Sequence, residues 1–291
     1  MRALLVHNAN AGTDPVPADQ IEDALRAAGM EPAYCAHGDE DISAALCGPF
    51  DLVVAAGGDG TVADVVSQLQ DIDKPIGILP LGGSNNIANA LGVDMDWRAV
   101  PSLWSLERWT RLDRCEAEGP WGRGAFVEAV GVGVLTDAVD DADDDPQTPE
   151  EKQESGRAAF RRSLADAQPF ECAIEAGDWS WQGDCLMVEV MNIPFVGSRL
   201  ALATGSVPDD GLFDIVLVTP AERASMLAWA MSPDAAPCPV APRRAEALRL
   251  TAHERPFRLD DRCPEERLSG TAEIVVCPDW VKVLTPWKAR R

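Results

Sequence analysis

Five apolar residues, Leu52-Val53-Val54-Ala55-Ala56, run directly into Gly57-Gly58-Asp59-Gly60-Thr61, after which Val62, Val65, Val66 and Leu69 recur at i, i+3, i+4 and i+7. A uniformly apolar strand is what a parallel strand covered on both faces requires. The spacing that follows is that of an amphipathic helix. Strand, glycine turn and helix in this order define a βα unit, which commits the chain to an α/β fold with ligands outside the carboxyl ends of its strands. Glycines let backbone amides approach a phosphate closely, and a helix N-terminus adds a favourable dipole. A glycine pair alone would satisfy an ordinary turn. Asp59 between the glycines needs more explanation, because a carboxylate repels phosphate unless it serves Mg²⁺ or accepts a proton from an attacking hydroxyl. Both are needs of phosphoryl transfer.

The flanking sequence repeats the pattern. Ala3 to Val6 reads as a strand, followed by a loop from Asn8 to Gly12. A helix begins at Asp19, with Ile21, Ala24, Leu25 and Ala28 on one face and Gly29 at its end. Glu31 to Ala36 predicts a strand, Ile42 to Leu46 a short helix and Ile76 to Leu79 another strand. The latter enters a second polar, glycine-bearing loop, Pro80-Leu81-Gly82-Gly83-Ser84-Asn85-Asn86, backed by a helix through Ile87, Ala88 and Leu91. Beyond about residue 110 the pattern changes to short strands separated by turn residues, the mark of an antiparallel second domain. Phe170 to Glu175 and Trp179 to Gln182 form a hairpin about Gly177-Asp178; Cys185 to Met191, Phe213 to Val218, Leu248 to Thr251, Phe257 to Leu259 and Ile274 to Val276 are further strands. The acidic stretch Asp137 to Glu154 and the proline-rich stretch Pro233 to Pro242 read as solvated loops, the run Asp140 to Asp145 being either that or a cation site.

Composition excludes some functions. With 48 acidic against 25 basic residues the formal charge is −23, whereas nucleic acid needs a concentrated basic face. Eight scattered cysteines without a Cys-x-x-Cys pair and three histidines make a zinc site improbable. No stretch reaches the roughly 18 apolar residues of a membrane span. The N-terminal apolar stretch is too short for a secretory signal, so a cytoplasmic protein is expected, touching membranes peripherally if at all.

The glycine loop Gly57 to Thr61 with its central Asp59, the segment Leu79 to Ala88 and the loop Asn8 to Gly12 resemble the catalytic region of diacylglycerol kinases, sphingosine kinases and, more distantly, NAD kinases. Met191-Asn192 through Gly197, Leu200 to Ala203 and Pro208 to Asp214 resemble the β-domain signature of the same lipid kinases. The resemblance implies an N-terminal α/β domain with a parallel sheet and a mainly antiparallel β-sandwich C-terminal domain. Expected boundaries are 1–112, with 280–291 returning to that domain, and 113–279. It implies ATP held by Asn8, Gly57, Gly58, Asp59, Gly60, Thr61, Asp64, Gly82, Gly83, Asn85 and Asn86, with Mg²⁺ as second cofactor and a lipid hydroxyl as acceptor. Asp59 would serve the catalytic metal or proton. Asp210 and the Leu212 backbone map onto a structural Mg²⁺ site, or else form an ordinary Asp-Gly turn.

Several positions depart from the family pattern. The C-terminal Asp-Gly-Glu, whose Glu is the proposed base, corresponds to Asp260-Asp261-Arg262. Arg262 cannot be a base, since guanidinium stays protonated; Asp59 is favoured instead, with Glu265 and Glu266 as alternatives. Gly83 replaces the usual Thr, at a cost of about 0.5–1.5 kcal/mol for one hydrogen bond, and Ala63 replaces Asn. Asp64 stands for the usual Glu. Arg157, Arg161 and Arg162 on one helix would either meet a membrane or form a solvated face. The expected activity is transfer of the ATP γ-phosphoryl group to a lipid hydroxyl such as that of diacylglycerol. A catalytically impaired binding relative and a sphingoid-base kinase are the alternatives. A Rossmann dehydrogenase fits less well, for lack of Gly-x-Gly-x-x-Gly.

Overall fold

The computed structural model describes residues 1–38, 41–138 and 148–286. They form two compact units, one of Met1–Asp113 with the chain from Asp279, the other of Arg114–Pro278.

The first unit contains β1 (Arg2–His7), α1 (Ala18–Ala27), β2 (Glu31–Ala36), α2 (Ile42–Leu46), β3 (Leu52–Gly57), α3 (Asp59–Gln68), β4 (Ile76–Pro80) and α4 (Asn86–Ala90). Its strands pair in parallel in the order β2-β1-β3-β4, with Leu5 opposite Val54 and Ala55 opposite Ile78. Every residue of β3 is buried, as its unbroken apolar run requires. The chain turns one way from β1 to β2 and the other way from β3 to β4, so the carboxyl ends of β1 and β3 flank a topological switch point, where open sheets bind ligands. α3 begins earlier than its apolar spacing predicts. The N–H groups of Thr61 and Val62 both donate to the Gly58 carbonyl, at 3.1 and 3.2 Å, so Gly58 is the N-cap and Asp59-Gly60 the first helical turn.

The second unit is built from β5 (Trp109–Gly119, entering from the first unit), β6 (Gly122–Phe126), β7 (Ala129–Gly133), α5 (Val134–Asp137), α6 (Pro149–Asp166), β8 (Phe170–Ala176), β9 (Trp179–Cys185), β10 (Met187–Met191), β11 (Phe213–Val218), α7 (Arg223–Ala230), β12 (Arg243–Ala245), β13 (Ala247–Arg255), β14 (Phe257–Leu259) and β15 (Leu268–Leu284). One layer is the five-stranded sheet β12-β11-β10-β7-β14, antiparallel throughout. The other has β13 between β15 and β8, with β9 beyond, again antiparallel. Val130, Val190, Phe213 and Phe257 from the first layer meet Ile174, Leu250 and Ile274 from the second in one core. This is the expected β-sandwich. The other face of the five-stranded sheet is covered by Leu135, Phe160, Leu164, Met226 and Trp229 from α5, α6 and α7. At its end β15 returns to the first unit, Val283 and Leu284 pairing in parallel with Ile76 and Gly77.

Two sequence expectations change here. Cys185 to Met191 is not one strand: the chain leaves one layer at Cys185 and enters the other at Met187, with Leu186 N–H donating to Val218 at 2.8 Å. The described ends of the acidic stretch are largely helical, Asp137 in α5 and Pro149 to Glu154 in α6. Thr148 accepts from Glu151 N–H and Glu151 reaches back to Thr148 N–H, a capping box that starts α6 with Pro149 in its first turn. The run Asp140 to Asp145 lies outside the described residues.

Glu189 on β10 and Arg258 on β14 form a buried ion pair at 2.6 Å across the intervening β7. Both stand opposite Gly131, and a Cβ there would come within 2.4 Å of the Glu189 carboxylate. Glycine makes the crossing possible. Burial pushes the Glu189 carboxyl upward while Arg258 pulls it down. No helix among the described residues is long and apolar enough to cross a membrane.

Candidate nucleotide and catalytic site

Three loops leave the carboxyl ends of β1, β3 and β4 and pack on one another through glycines. Asn8 starts the first loop: its N–H donates to the Ala56 carbonyl at 2.9 Å and its side chain accepts from Asn10 N–H at 3.0 Å. Gly12 adopts φ +78 and lies so close to the third loop that a Cβ would stand 2.4 Å from the Leu81 carbonyl oxygen. Leu81 N–H donates to Gly57 at 2.9 Å. A Cβ on Gly82 would sit 2.5 Å from Gly58 Cα, so the second and third loops touch backbone to backbone. Asn85, at φ +48, closes its own turn by accepting from Gly82 N–H at 2.9 Å and donating to the Gly82 carbonyl at 2.7 Å.

Asp59 fastens this assembly. Its Oδ1 accepts the Ile87 N–H at 2.9 Å, one of the donors that the start of α4 leaves unpaired. The carboxylate thus bridges the start of α3 to the start of α4. Gly57, Gly58, Asp59, Gly60, Gly82 and Asn85 are thereby assembled at the carboxyl ends of β3 and β4, with Asn8 at that of β1. Gly83 lies within the Gly82–Asn85 turn, and Asn86 opens α4 with 1% exposure. Gly60 faces open space, and the first turn of a helix presents N–H groups outward. Thr61 differs: its hydroxyl is buried against Gly57 and finds no hydrogen-bond partner among the described residues. Asp64, over one turn further along α3, is held by His37 Nε2 at 3.0 Å. The sequence reading missed His37, since only the fold carries the loop after β2 to α3.

The remaining sequence candidates lie in the second unit. Asp260 is 4% exposed and at φ +50. Its carboxylate accepts the successive N–H groups of Val127, Glu128 and Ala129 at 3.0, 2.7 and 3.2 Å. Burial pushes its carboxyl up to about 6 against the opposing pull of these N–H groups. Glu128 accepts from Gly197 N–H at 2.9 Å and Asn192 Nδ2 donates to Val127 at 2.9 Å, so Asp260 is one part of a clasp around residues 127–129. Arg262 closes a tight turn with Leu259 and donates to the Ala125 carbonyl at 3.2 Å. Glu265 and Glu266 are exposed. Asp210 accepts Leu212 N–H at 3.1 Å and is ion-paired with Arg244, which also approaches Asp214 at 3.6 Å. Arg244, also missed from sequence, thus brings a positive charge to Asp210.

Sheet order, glycine contacts and the Asp59 bridge give the first unit the parallel α/β arrangement of an NAD kinase-like fold. The family model for the diacylglycerol kinase catalytic domain matches residues 2–117, and that for the YegS C-terminal NAD kinase beta sandwich-like domain matches 128–233. The chain thus carries matches to both domains of the diacylglycerol kinase and YegS-like lipid kinases. It is 29% identical to the diacylglycerol kinase of Bacillus subtilis over 61% of this chain and 58% of that protein. To a Klebsiella pneumoniae protein named "Probable lipid kinase YegS-like" it is 26% identical over 75% and 72% of the two chains. Among solved structures, a Bacillus anthracis protein described as "a putative diacylglycerol kinase" superposes with a TM-score of 0.74 at 18% identity, over 99% of this chain and 98% of the other. An Archaeoglobus fulgidus NAD kinase, solved with ATP, gives 0.54 at 14% identity over 98% and 94%. At such identities these two establish the fold.

Proposed function

We propose that the protein is an ATP- and Mg²⁺-dependent lipid kinase that transfers the γ-phosphoryl group to a lipid hydroxyl such as that of diacylglycerol. The observation that carries the reading is the Asp59 bridge, which joins two glycine loops at the switch point of a parallel sheet. The open backbone at Gly60 and the N-terminus of the ten-residue α3 suit the nucleotide phosphates. Gly82, too close to Gly58 for a side chain, holds that cradle in one shape. Mg²⁺, when bound, would neutralise charge developing on the phosphoryl oxygens, with Asp59 as the carboxylate nearest to that cradle. Asp59 is also the base that this reading assigns to the acceptor hydroxyl, because Arg262 cannot take a proton.

Asp59→Asn separates the chemistry from the scaffold. Asparagine keeps an oxygen to accept the Ile87 N–H but loses the charge and the basicity. In an assay with labelled ATP over diacylglycerols, monoacylglycerols and sphingoid bases, the variant is expected to melt like the parent and to lose at least about 10²-fold in rate. Failure of the parent to phosphorylate any of these lipids, or undiminished turnover by the variant, refutes the proposal. A binding-only relative is the second reading, favoured by the engagement of Asp260 and Arg262 with backbone; ATP binding by calorimetry without turnover would identify it.

A further inference from the structure

The resemblance to lipid kinases implies a structural Mg²⁺ on Asp210 and the Leu212 backbone, a ligand set that the geometry of this turn does not support. The segment Pro208-Asp209-Asp210-Gly211-Leu212 leads into β11, with Gly211 at φ +73 making the corner. Asp210 turns one carboxylate oxygen to the Leu212 N–H at 3.1 Å and the other to the Arg244 guanidinium. Both oxygens are thereby engaged, and what Leu212 presents to the carboxylate is a donor. Mg²⁺ needs oxygen ligands in a near-octahedral set at about 2.0–2.1 Å. Among the described residues no group of three or more acidic, histidine or cysteine side chains is placed to hold a metal. As they stand in this chain, these residues do not fit Mg²⁺.

Arg244 is set in place by the sheet. β12 is a three-residue strand at the edge of the five-stranded layer, and its pairing with β11 puts Arg244 directly opposite Asp214. Its Nε approaches the Asp214 carboxylate at 3.6 Å while Nη2 reaches Asp210. Asp214 is 2% exposed, and burial pushes its carboxyl upward, with Arg244 among the groups that pull it down. A buried carboxylate left without a cation would be costly. One guanidinium therefore spans two carboxylates and ties the Asp-Gly turn to an edge strand whose only sheet neighbour is β11. A divalent cation at the same oxygens would stand against this positive charge at contact distance. Arginine, unlike a metal, is attached to the chain, and it stays protonated at any ordinary pH.

We propose that Arg244 takes the place of a divalent cation at this turn, so that the second unit is held there by a tethered guanidinium and needs no metal of its own. A Mg²⁺ requirement of the kinase reading then belongs to the nucleotide alone. The test is the melting of the full-length protein without nucleotide or lipid, in EDTA and in millimolar Mg²⁺ or Ca²⁺, so its outcome is independent of whether the protein is a kinase. The parent is expected to melt at the same temperature in all three. Arg244→Ala is expected to melt about 2 °C lower in EDTA and to recover in Mg²⁺ or Ca²⁺, which can then reach the vacated carboxylates. Arg244→Ala combined with Asp210→Asn should lose that recovery. An ion pair of merely structural worth would lower the melting temperature without any recovery by metal, and that result overturns the proposal. So does a parent whose melting rises with Mg²⁺ and loses the rise on Asp210→Asn, or an Arg244→Ala variant that melts like the parent in EDTA. A rise in the parent that survives Asp210→Asn places the metal away from this turn, as the proposal requires.

Discussion

Asp260 and Asp59 show how one residue type comes to do two jobs in this chain. Both carboxylates accept backbone N–H groups, but Asp59 lies partly exposed between two loops, whereas Asp260 is buried in a cradle of three donors. Burial raises the Asp260 carboxyl from the ordinary 3.8 to about 6. The folded state therefore holds its proton more tightly than the unfolded chain between these values. By linkage, stability from this group is fully present below about pH 4 and declines as pH rises towards 6. Asp260→Asn resembles the protonated form and cannot titrate. Thermal melts from pH 4 to 7 should show the parent losing ground to the variant as pH rises; parallel curves would exclude the coupling. Asp260 was legible in the sequence as a matched position. Its engagement with residues 127–129 was not, because those donors lie about 130 residues away and carry no signature.

At the scale of elements, the glycines of the three loops fall into two kinds that the sequence does not distinguish. Gly58 and Gly82 are glycines because their backbones touch, and Gly82→Ala would force Cβ onto Gly58 Cα at 2.5 Å. Gly60 faces open space within the first turn of α3. Gly60→Ala should leave the fold intact or stabilise it by up to about 1 kcal/mol, yet weaken ATP if phosphate rests on that turn. Gly82→Ala should separate the loops and weaken ATP while lowering the melting temperature. Calorimetric ATP titration with melting curves of both variants checks this, and unchanged affinity in Gly60→Ala would move the phosphate elsewhere. The βα units around these loops were legible because buried parallel strands and amphipathic helices have distinct periods. The start of α6 and the break at Leu186 were not. The acidic first turns of α6 look like solvated loop until the Thr148–Glu151 capping box is seen, and an apolar run says nothing about which of two sheets it joins.

Across the whole molecule, 48 acidic against 25 basic residues leave a charge of −23 that the fold must contain. Like-charge repulsion acts over the Debye length, about 10 Å at 0.1 M salt and about 3 Å at 1 M. The unfolding temperature is therefore expected to rise between 0.1 and 1 M NaCl in calorimetry, roughly levelling where screening is complete. A melting point independent of salt would mean that the negative charges are already paired or spread too far to repel.

The sequence by itself determined the architecture and where the candidate glycine loops fall in it, because strand burial, helical period and the need for glycine where backbones meet are local constraints. The family likeness of both domains followed from those segments. Tertiary structure alone decided what the polar residues do: that Asp59 caps α4, that His37 holds Asp64, and that Arg244 balances Asp210. These outcomes depend on partners distant in sequence, and a side chain's hydrogen bonds and charge are satisfied by whatever the fold brings within about 3 Å.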